Sequence, residues 1–341
     1  MKQTSAHFNL GLVLFLTVFA GQALSQKPQQ VEGAGWTAHS NYGPAVATDG
    51  NYAYIAWVDS STNDIFFATF TGDGFGSQQT VGGTTSDGGT WTAQSSATPA
   101  WGYDGLTFYL IWKGNSSNDI WFSAYSDGVW GQQQTVGGTD PHWTAETSVA
   151  PAASFYNWPL TLYWKGASSS KVWTSSLNYL QPGWTNQQVV SGFSTGTYAA
   201  PAPEQAPNST GGSAMFLTNP SNDIVVGANS YAVSGTGPTW TAQSMYAPAA
   251  SANLADPVNQ DVVFWKGLNT TSIWYSYNTG TPLGYGGPPV WSVQQTVTGA
   301  ATDAAPTVAQ ADGPSIEVAI LAWKNASDDT IWYIEPSGLK P

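Results

Sequence analysis

One unit recurs six times along this chain: an apolar strand that most often ends in Trp-Lys-Gly, a polar loop, then a strand built on Ile-Trp. The cores read Ile55-Ala56-Trp57, Ile111-Trp112-Lys113-Gly114, Tyr163-Trp164-Lys165-Gly166, Met215-Phe216-Leu217, Phe264-Trp265-Lys266-Gly267 and Ala322-Trp323-Lys324. Partner strands follow at Ile65-Phe66, Ile120-Trp121, Val172-Trp173, Ile224-Val225, Ile273-Trp274 and Ile331-Trp332. A proline precedes each core, at Pro44, Pro99, Pro151, Pro201, Pro248 and Pro306, with spacings of 55, 52, 50, 47 and 58 residues. A period near fifty with several short strands per unit is the mark of a propeller or a similar array.

Within the second unit, strands are expected over Thr98–Gly102, Thr107–Lys113, Asp119–Tyr125 and Val129–Val136. The turns between them contain Gly105, Gly114, Asp127-Gly128 and Gly137-Gly138, the residues that tight hairpins require. The unit is thus a four-stranded antiparallel meander. Phe108–Trp112 and Val318–Trp323 are apolar almost throughout rather than alternating. Such strands are buried on both faces, which stacked blades achieve and a single sandwich does not.

The chain ends argue for a closed ring. The last unit stops at Ile331–Ile334 without a fourth strand, while Gln29-Gln30-Val31 and Trp36-Thr37-Ala38 near the start match Gln78–Val81 and Trp91–Ala93. The N-terminal segment therefore reads as the missing strand of blade six, and closure removes a free sheet edge. The expected fold is an all-β, six-bladed propeller.

Residues 1–25 read as a secretory signal peptide: Lys2, an apolar run from Leu10 to Ala20, and a small-residue site at Ala23-Leu24-Ser25. The run is too short for a membrane span. Residues 26–341 then form one domain of a secreted protein, extracellular or, in a bacterium, periplasmic. The chain has no cysteine, so packing and topology must hold it. It carries 21 acidic residues against 8 lysines and no arginine. That balance argues against nucleic acid and anionic membranes, whose binding needs clustered cations.

Two sets of tryptophans recur. Trp57, Trp112, Trp164, Trp265 and Trp323, with Trp121, Trp173, Trp274 and Trp332, are read as inter-blade core. Trp36, Trp91, Trp143 and Trp240 instead open a Trp-Thr-Ala segment whose next residue is His39, Gln94, Glu146 or Gln243. This connection leaves from the same rim as the loop carrying Lys113 with Asn118 and Asp119, Lys165 with Ser170, Lys266, and Lys324 with Asp328 and Asp329. An aromatic face beside short polar side chains suits a sugar, whose CH groups stack while its hydroxyls find partners. The plainer reading has these tryptophans capping the blade seam and each lysine paired with a carboxylate. Four Asn-x-Ser/Thr sequences, at Asn115, Asn208, Asn269 and Asn325, could accept glycans. Glu146, Glu204 and Glu317 read as isolated carboxylates, and the sequence implies no catalytic pair, metal or cofactor. The Asn63-Asp64, Asn118-Asp119, Asn222-Asp223 and Asp328-Asp329 loops offer oxygens without the dense spacing of a calcium loop.

The pattern Leu-x-Trp-Lys-Gly, polar loop, Ile-Trp-Tyr/Phe-Ser, then Trp-x-x-Gln-Gln-Thr-Val resembles secreted β-propeller proteins grouped with the fucose-specific lectins. The likeness spans nearly all of residues 26–341 and rests on blade-forming residues. Fungal fucose lectins hold the sugar with an Arg and a Glu in each inter-blade pocket, and this sequence has no arginine to match. The resemblance implies the propeller fold; the repeated tryptophan and polar-loop constellation points to a secreted, non-catalytic, multivalent carbohydrate-binding protein. Its expected ligand residues are Trp36, Trp91, Trp143, Trp240, Lys113, Asp119, Lys165, Lys266, Lys324 and Asp328, and its partners are glycans or glycoconjugates. A scaffold binding an extracellular protein is the alternative, and a glycoside hydrolase the third reading.

Overall fold

The computed structural model describes residues 27–49, 52–72, 74–104, 106–139, 142–154, 159–177, 183–193, 196–204, 214–227, 229–235, 239–255, 260–280, 283, 288–310 and 319–335. The expected signal peptide, Asn208 and Glu317 lie outside them. The described residues form six antiparallel blades, and none of their helices is long and apolar enough to cross a membrane.

Blade 1 comprises Ala45–Thr48, Ala53–Val58, Ile65–Phe70 and Gln79–Thr80, paired in that order. Blade 2 comprises Ala100–Tyr103, Phe108–Lys113 and Ile120–Ser126, with an outer strand in two pieces, Val129–Trp130 and Gln134–Thr135. A continuous strand over Val129–Val136 was expected; instead the register moves from Tyr125↔Trp130 to Phe122↔Gln134, a gain of one residue. This is a β-bulge. Its extra residue is held where Gly131 N–H donates to Ala124 O (2.8 Å) and Ser123 Oγ donates to Gly131 O (2.9 Å). The preceding turn, Asp127-Gly128, has φ of 53° and 80°, the left-handed pair a two-residue hairpin needs.

Blades 3, 4 and 5 repeat the plan, their second strands being Leu160–Lys165, Met215–Thr218 and Gln260–Lys266. Blade 6 is built from Thr307–Gln310, Ala319–Lys324 and Ile331–Ile334, and its fourth strand is Gln29–Gln30. Gln29 lies opposite Tyr333 and Gln30 opposite Trp332, and Val31 N–H donates to Ile331 O at 2.8 Å. The six inner strands neighbour one another in unbroken cyclic order, blade 6 touching blade 1.

The core is divided among the seams. Leu110 and Trp112 pack against blade 1, whereas Ile111 between them packs against blade 3. Likewise Ile55 and Trp57 face blade 6 while Ala56 and Val58 face blade 2. Alternate side chains of one strand thus enter different seams, which is why the second strands are apolar without alternation. The seam between blades 3 and 4 has the smallest cluster: Val172, Met215, Leu217 and Val225. There Leu217 stands where every other blade carries tryptophan, and Val225 where the others carry tryptophan or, in blade 1, Phe66.

Candidate functional site: seams and axial funnel

The connector between blades forms a small hairpin in four seams. Gly33 pairs with Trp36, Gly83 with Trp91, Gly138 with Trp143 and Gly235 with Trp240. Each indole folds back over the glycine opposite. A Cβ on Gly33, Gly138 or Gly235 would collide with that indole, and one on Gly83 would sit 3.1 Å from Trp91 Nε1. The four Nε1 groups are buried against this backbone and, among the described residues, have no hydrogen-bond acceptor.

The other face of each ring stacks on the fully buried second-strand tryptophan of the next blade. The centroid distances are 5.6 Å for Trp36–Trp57, 6.3 Å for Trp91–Trp112, 6.2 Å for Trp143–Trp164 and 6.0 Å for Trp240–Trp265, with planes within 11°. Across the strand pair each inner ring meets a half-buried one: Trp112 faces Trp121, Trp164 faces Trp173, Trp265 faces Trp274 and Trp57 faces Phe66. Each of these seams therefore holds a three-aromatic ladder, buried in the middle and partly open at an end. Trp121 and its counterparts are less buried than the core position the sequence suggested. They lie over the glycine of Trp-Lys-Gly: a Cβ on Gly114 would sit 3.2 Å from Trp121 Nε1.

A polar pair sits at the rim of the same seams. Gln94 Nε2 donates to Asp64 Oδ1 and Gln243 Nε2 to Asp223 Oδ1, both at 2.8 Å. Asp119 and Glu146 occupy the equivalent bridge between blades 2 and 3, so Glu146 is not the isolated carboxylate its sequence context suggested. His39 bridges to Thr330, and its charge helps hold the Asp328 carboxyl below the usual range. The larger cause at Asp328 is hydrogen bonding: its Oδ1 accepts from Thr330 Oγ1 (2.6 Å) and from Asn325 Nδ2 (2.9 Å). Asn63, Asn222 and Asp329 have φ of 62°, 67° and 59°. These loop residues thus supply left-handed turns, a conformation Asn and Asp tolerate best after glycine.

The lysines lie elsewhere. Lys113 Nζ donates to Ser96 Oγ (2.8 Å) and Ser117 O (2.9 Å), not to Asp119. Lys165 Nζ donates to Ser148 Oγ at 2.9 Å. Lys266 Nζ donates to Gly267 O at 3.1 Å and stands 5.1 Å from the Tyr246 ring centroid. Lys324 is clamped by Asp303 (2.8 Å) and Asp329 (2.6 Å), while Asp328 faces its own loop. Burial pulls Lys113 and Lys165 below the usual lysine range, and Lys266 too, where Asp303 opposes it. Lys324 is also buried, yet its two carboxylates outweigh that and raise it.

Ser96, Ser148, Tyr246 and Asp303 all line a funnel of about 570 Å³ on the propeller axis. Its wall is six copies of one segment, running to Pro44, Pro99, Pro151, Pro201, Pro248 and Pro306. A buried hydroxyl opens every segment: Ser40, Ser95, Thr147, Thr197, Ser244 and Thr302. Each turns the chain through its own backbone, as where Thr147 Oγ1 donates to Val149 O (3.0 Å) and Ser95 Oγ to Ala97 O (2.7 Å). The signal was present in the sequence, since a Ser or Thr stands four residues before every one of these prolines.

One further pair was unforeseen. Glu204, after the first strand of blade 4, lies against Asp261 in the second strand of blade 5, both 4% exposed. Neither lines the funnel. Burial, then the Asp261 charge and hydrogen bond, push the Glu204 carboxyl well above its usual range, against a hydrogen bond from Ala214 N–H. Asp261 Oδ2 accepts from Leu283 N–H (3.0 Å) and Asn278 Nδ2 (3.2 Å). The two acids meet where blades 4 and 5 pack, and Glu204 Oε1 has no hydrogen-bond partner among the described residues.

No protein-family model matches the chain, and no curated protein matches it. Among solved structures, the fucose-specific lectin of Aleuria aurantia, a six-bladed β-propeller, superposes with a TM-score of 0.55 at 13% identity, over 85% of this chain and 90% of that one. This chain is similar in fold to a fungal fucose lectin. It is also similar to the subtype N11 neuraminidase-like protein of a flat-faced bat H18N11 isolate (TM-score 0.51, 10% identity, 92% and 95% covered). A Hadza microbial sialidase gives a TM-score of 0.51 at 9% identity over 87% of this chain and 66% of that one. At these identities the likeness is one of architecture alone: a six-bladed β-propeller.

Proposed function

We propose that this protein is a secreted, multivalent, non-catalytic carbohydrate-binding propeller whose sugars sit at the blade seams. The observation that carries this reading is the recurrence of one construction: an aromatic ladder with a partly open end beside a pair of polar residues at the rim, Gln94 with Asp64, Gln243 with Asp223, Asp119 with Glu146 and His39 with Thr330. A pyranose needs both parts, an aromatic surface for its CH face and short polar groups for its hydroxyls. Trp36, Trp91, Trp143 and Trp240 serve these sites chiefly by holding the ladder, because both of their faces are engaged. The half-buried Trp121, Trp173 and Trp274 supply the open edge, with Asp119 at the rim. Lys113, Lys165, Lys266 and Lys324 act by positioning the connector segments, and Asp328 by ordering its loop. Weak sites repeated round a ring gain avidity on a clustered glycan surface. The Aleuria lectin is a fucose-binding protein of the same architecture, which supports a glycan ligand without fixing which sugar.

The test is a glycan array with labelled protein starting at Gln26, run with and without calcium, followed by titration of the best sugar. Several equivalents per chain are expected. Gln94→Ala with Gln243→Ala, at exposed positions outside the core, should cut affinity roughly tenfold, about 1.4 kcal/mol. A blank array from protein that still melts cooperatively would replace this reading with a protein-binding scaffold.

A further inference from the structure

The funnel mouth is not symmetric. Its six outermost residues, in blade order, are Asn41, Ser96, Ser148, Tyr198, Met245 and Asp303. Four are polar. The other two, on adjacent blades, are a tyrosine 60% exposed and a methionine 57% exposed. Blade 4, whose connector carries Tyr198, also has Thr218 where its neighbours carry lysine. Thr218 O accepts from Tyr198 N–H (3.3 Å) and Thr218 Oγ1 donates to Tyr246 O (2.8 Å), so the connectors of blades 4 and 5 are tied together. Tyr198 and Met245 thus stand on neighbouring blades along one arc of the mouth, where blades 2 and 3 carry serine.

Across the mouth the offered groups are neutral. Asp303, the one carboxylate of the lining, is taken by Lys324. Ser148 Oγ accepts from Lys165, which leaves its own proton to donate, and Asn41 uses its Nδ2 on Ser60 O (3.0 Å), which leaves its Oδ1. Below them the wall is chiefly alanine, with a proline in each segment. A volume of about 570 Å³ falls in the range of small-molecule sites, roughly 300–1,000 Å³.

We propose that the axial funnel is a ligand site of its own, separate from the seams, and that it takes one neutral molecule in which a flat apolar group adjoins a hydroxylated one: an aryl glycoside. The aryl ring lies on Tyr198 and Met245, where a thioether beside an aromatic favours such contact. The sugar hydroxyls meet Ser148 and Asn41. Binding is one per chain, because only one arc of the ring is apolar.

The experiment is calorimetric titration of the protein from Gln26 with 4-nitrophenyl glycosides of the common hexoses, with 4-nitrophenol and the free hexoses as controls. A single equivalent of a glycoside is expected to bind. The double variant Tyr198→Ser/Met245→Ser should weaken it roughly tenfold with an unchanged melt, since Ser96 and Ser148 show that serine fits there. Glycan-array binding at the seams should survive in that variant, so this inference and the seam reading fail separately. Absence of binding across the panel, equal affinity in the double variant, more than one equivalent, or nitrophenol binding as well as its glycosides would each overturn it.

Discussion

Glycine and tryptophan form the unit of this fold at the smallest scale. A side chain of hydrogen alone at Gly138 lets the Trp143 ring lie flat on the opposite strand, so its outer face meets Trp164. Gly138→Ala must displace the ring or the strand and is expected to cost about 1–3 kcal/mol. Gly131→Ala is the matched control: the nearest atoms to its Cβ would be 3.6 Å away, and a change within about 0.5 kcal/mol is expected. Chemical denaturation of both variants checks the contrast, and equal losses would refute the cradle. Sequence alone showed the Trp-Thr-Ala segments as a recurring set. It did not show that both ring faces are occupied, because stacking on Trp164 joins residues of different blades.

Blades 4 and 5 illustrate the element scale. Where they meet, burial and the Asp261 charge raise the Glu204 carboxyl. An acid whose pKa is raised in the fold holds its proton more tightly there than in the unfolded chain. Its contribution is complete below the unfolded carboxylate value and is lost as the pH rises through the raised value. Glu204→Gln keeps a donor to Asp261 without the charge. Calorimetric melts from about pH 4 to 8 should show the variant gaining on the parent as pH rises, and parallel curves would contradict a raised Glu204 carboxyl. Glu204 and Asp261 lie 57 positions apart in sequence, and only blade packing makes them neighbours. The same packing explains blade 4: Leu217 stands where Trp would, and Phe193, near the connector position of Trp143, joins the same seam.

At the scale of the whole molecule the ring is closed by two residues. Gln29–Gln30 cover the edge of Ile331–Ile334, and Tyr333 Oη donates to Gln29 Oε1 at 3.0 Å. Removing residues 27–31 uncovers that edge and also deletes Val31, which is fully buried. A free apolar edge is a template for pairing with another chain. The shortened protein is therefore expected to melt lower and to self-associate, read by light scattering after size exclusion. A monomer with an unchanged melt would show that the ring does not depend on this strand.

Much of this was legible in order along the chain. Fifty-residue spacing, hairpin glycines, unbroken apolar strands and an orphan strand at the start are local or periodic signals, and each has one favourable solution in backbone geometry. The second strands had to be apolar on both faces because both faces are seams. Other features were decided by closure. The Trp–Trp stacks, the Asp64–Gln94 and Asp223–Gln243 pairs, the Glu204–Asp261 pair and the funnel are contacts between blades. So are the lysine contacts with the connector segments that line the funnel. Periodicity fixes which residues share a position; it carries no information about which neighbours that position meets. Those partners appear only when six blades close around an axis, since side chains far apart in the chain come within bonding distance there and nowhere else.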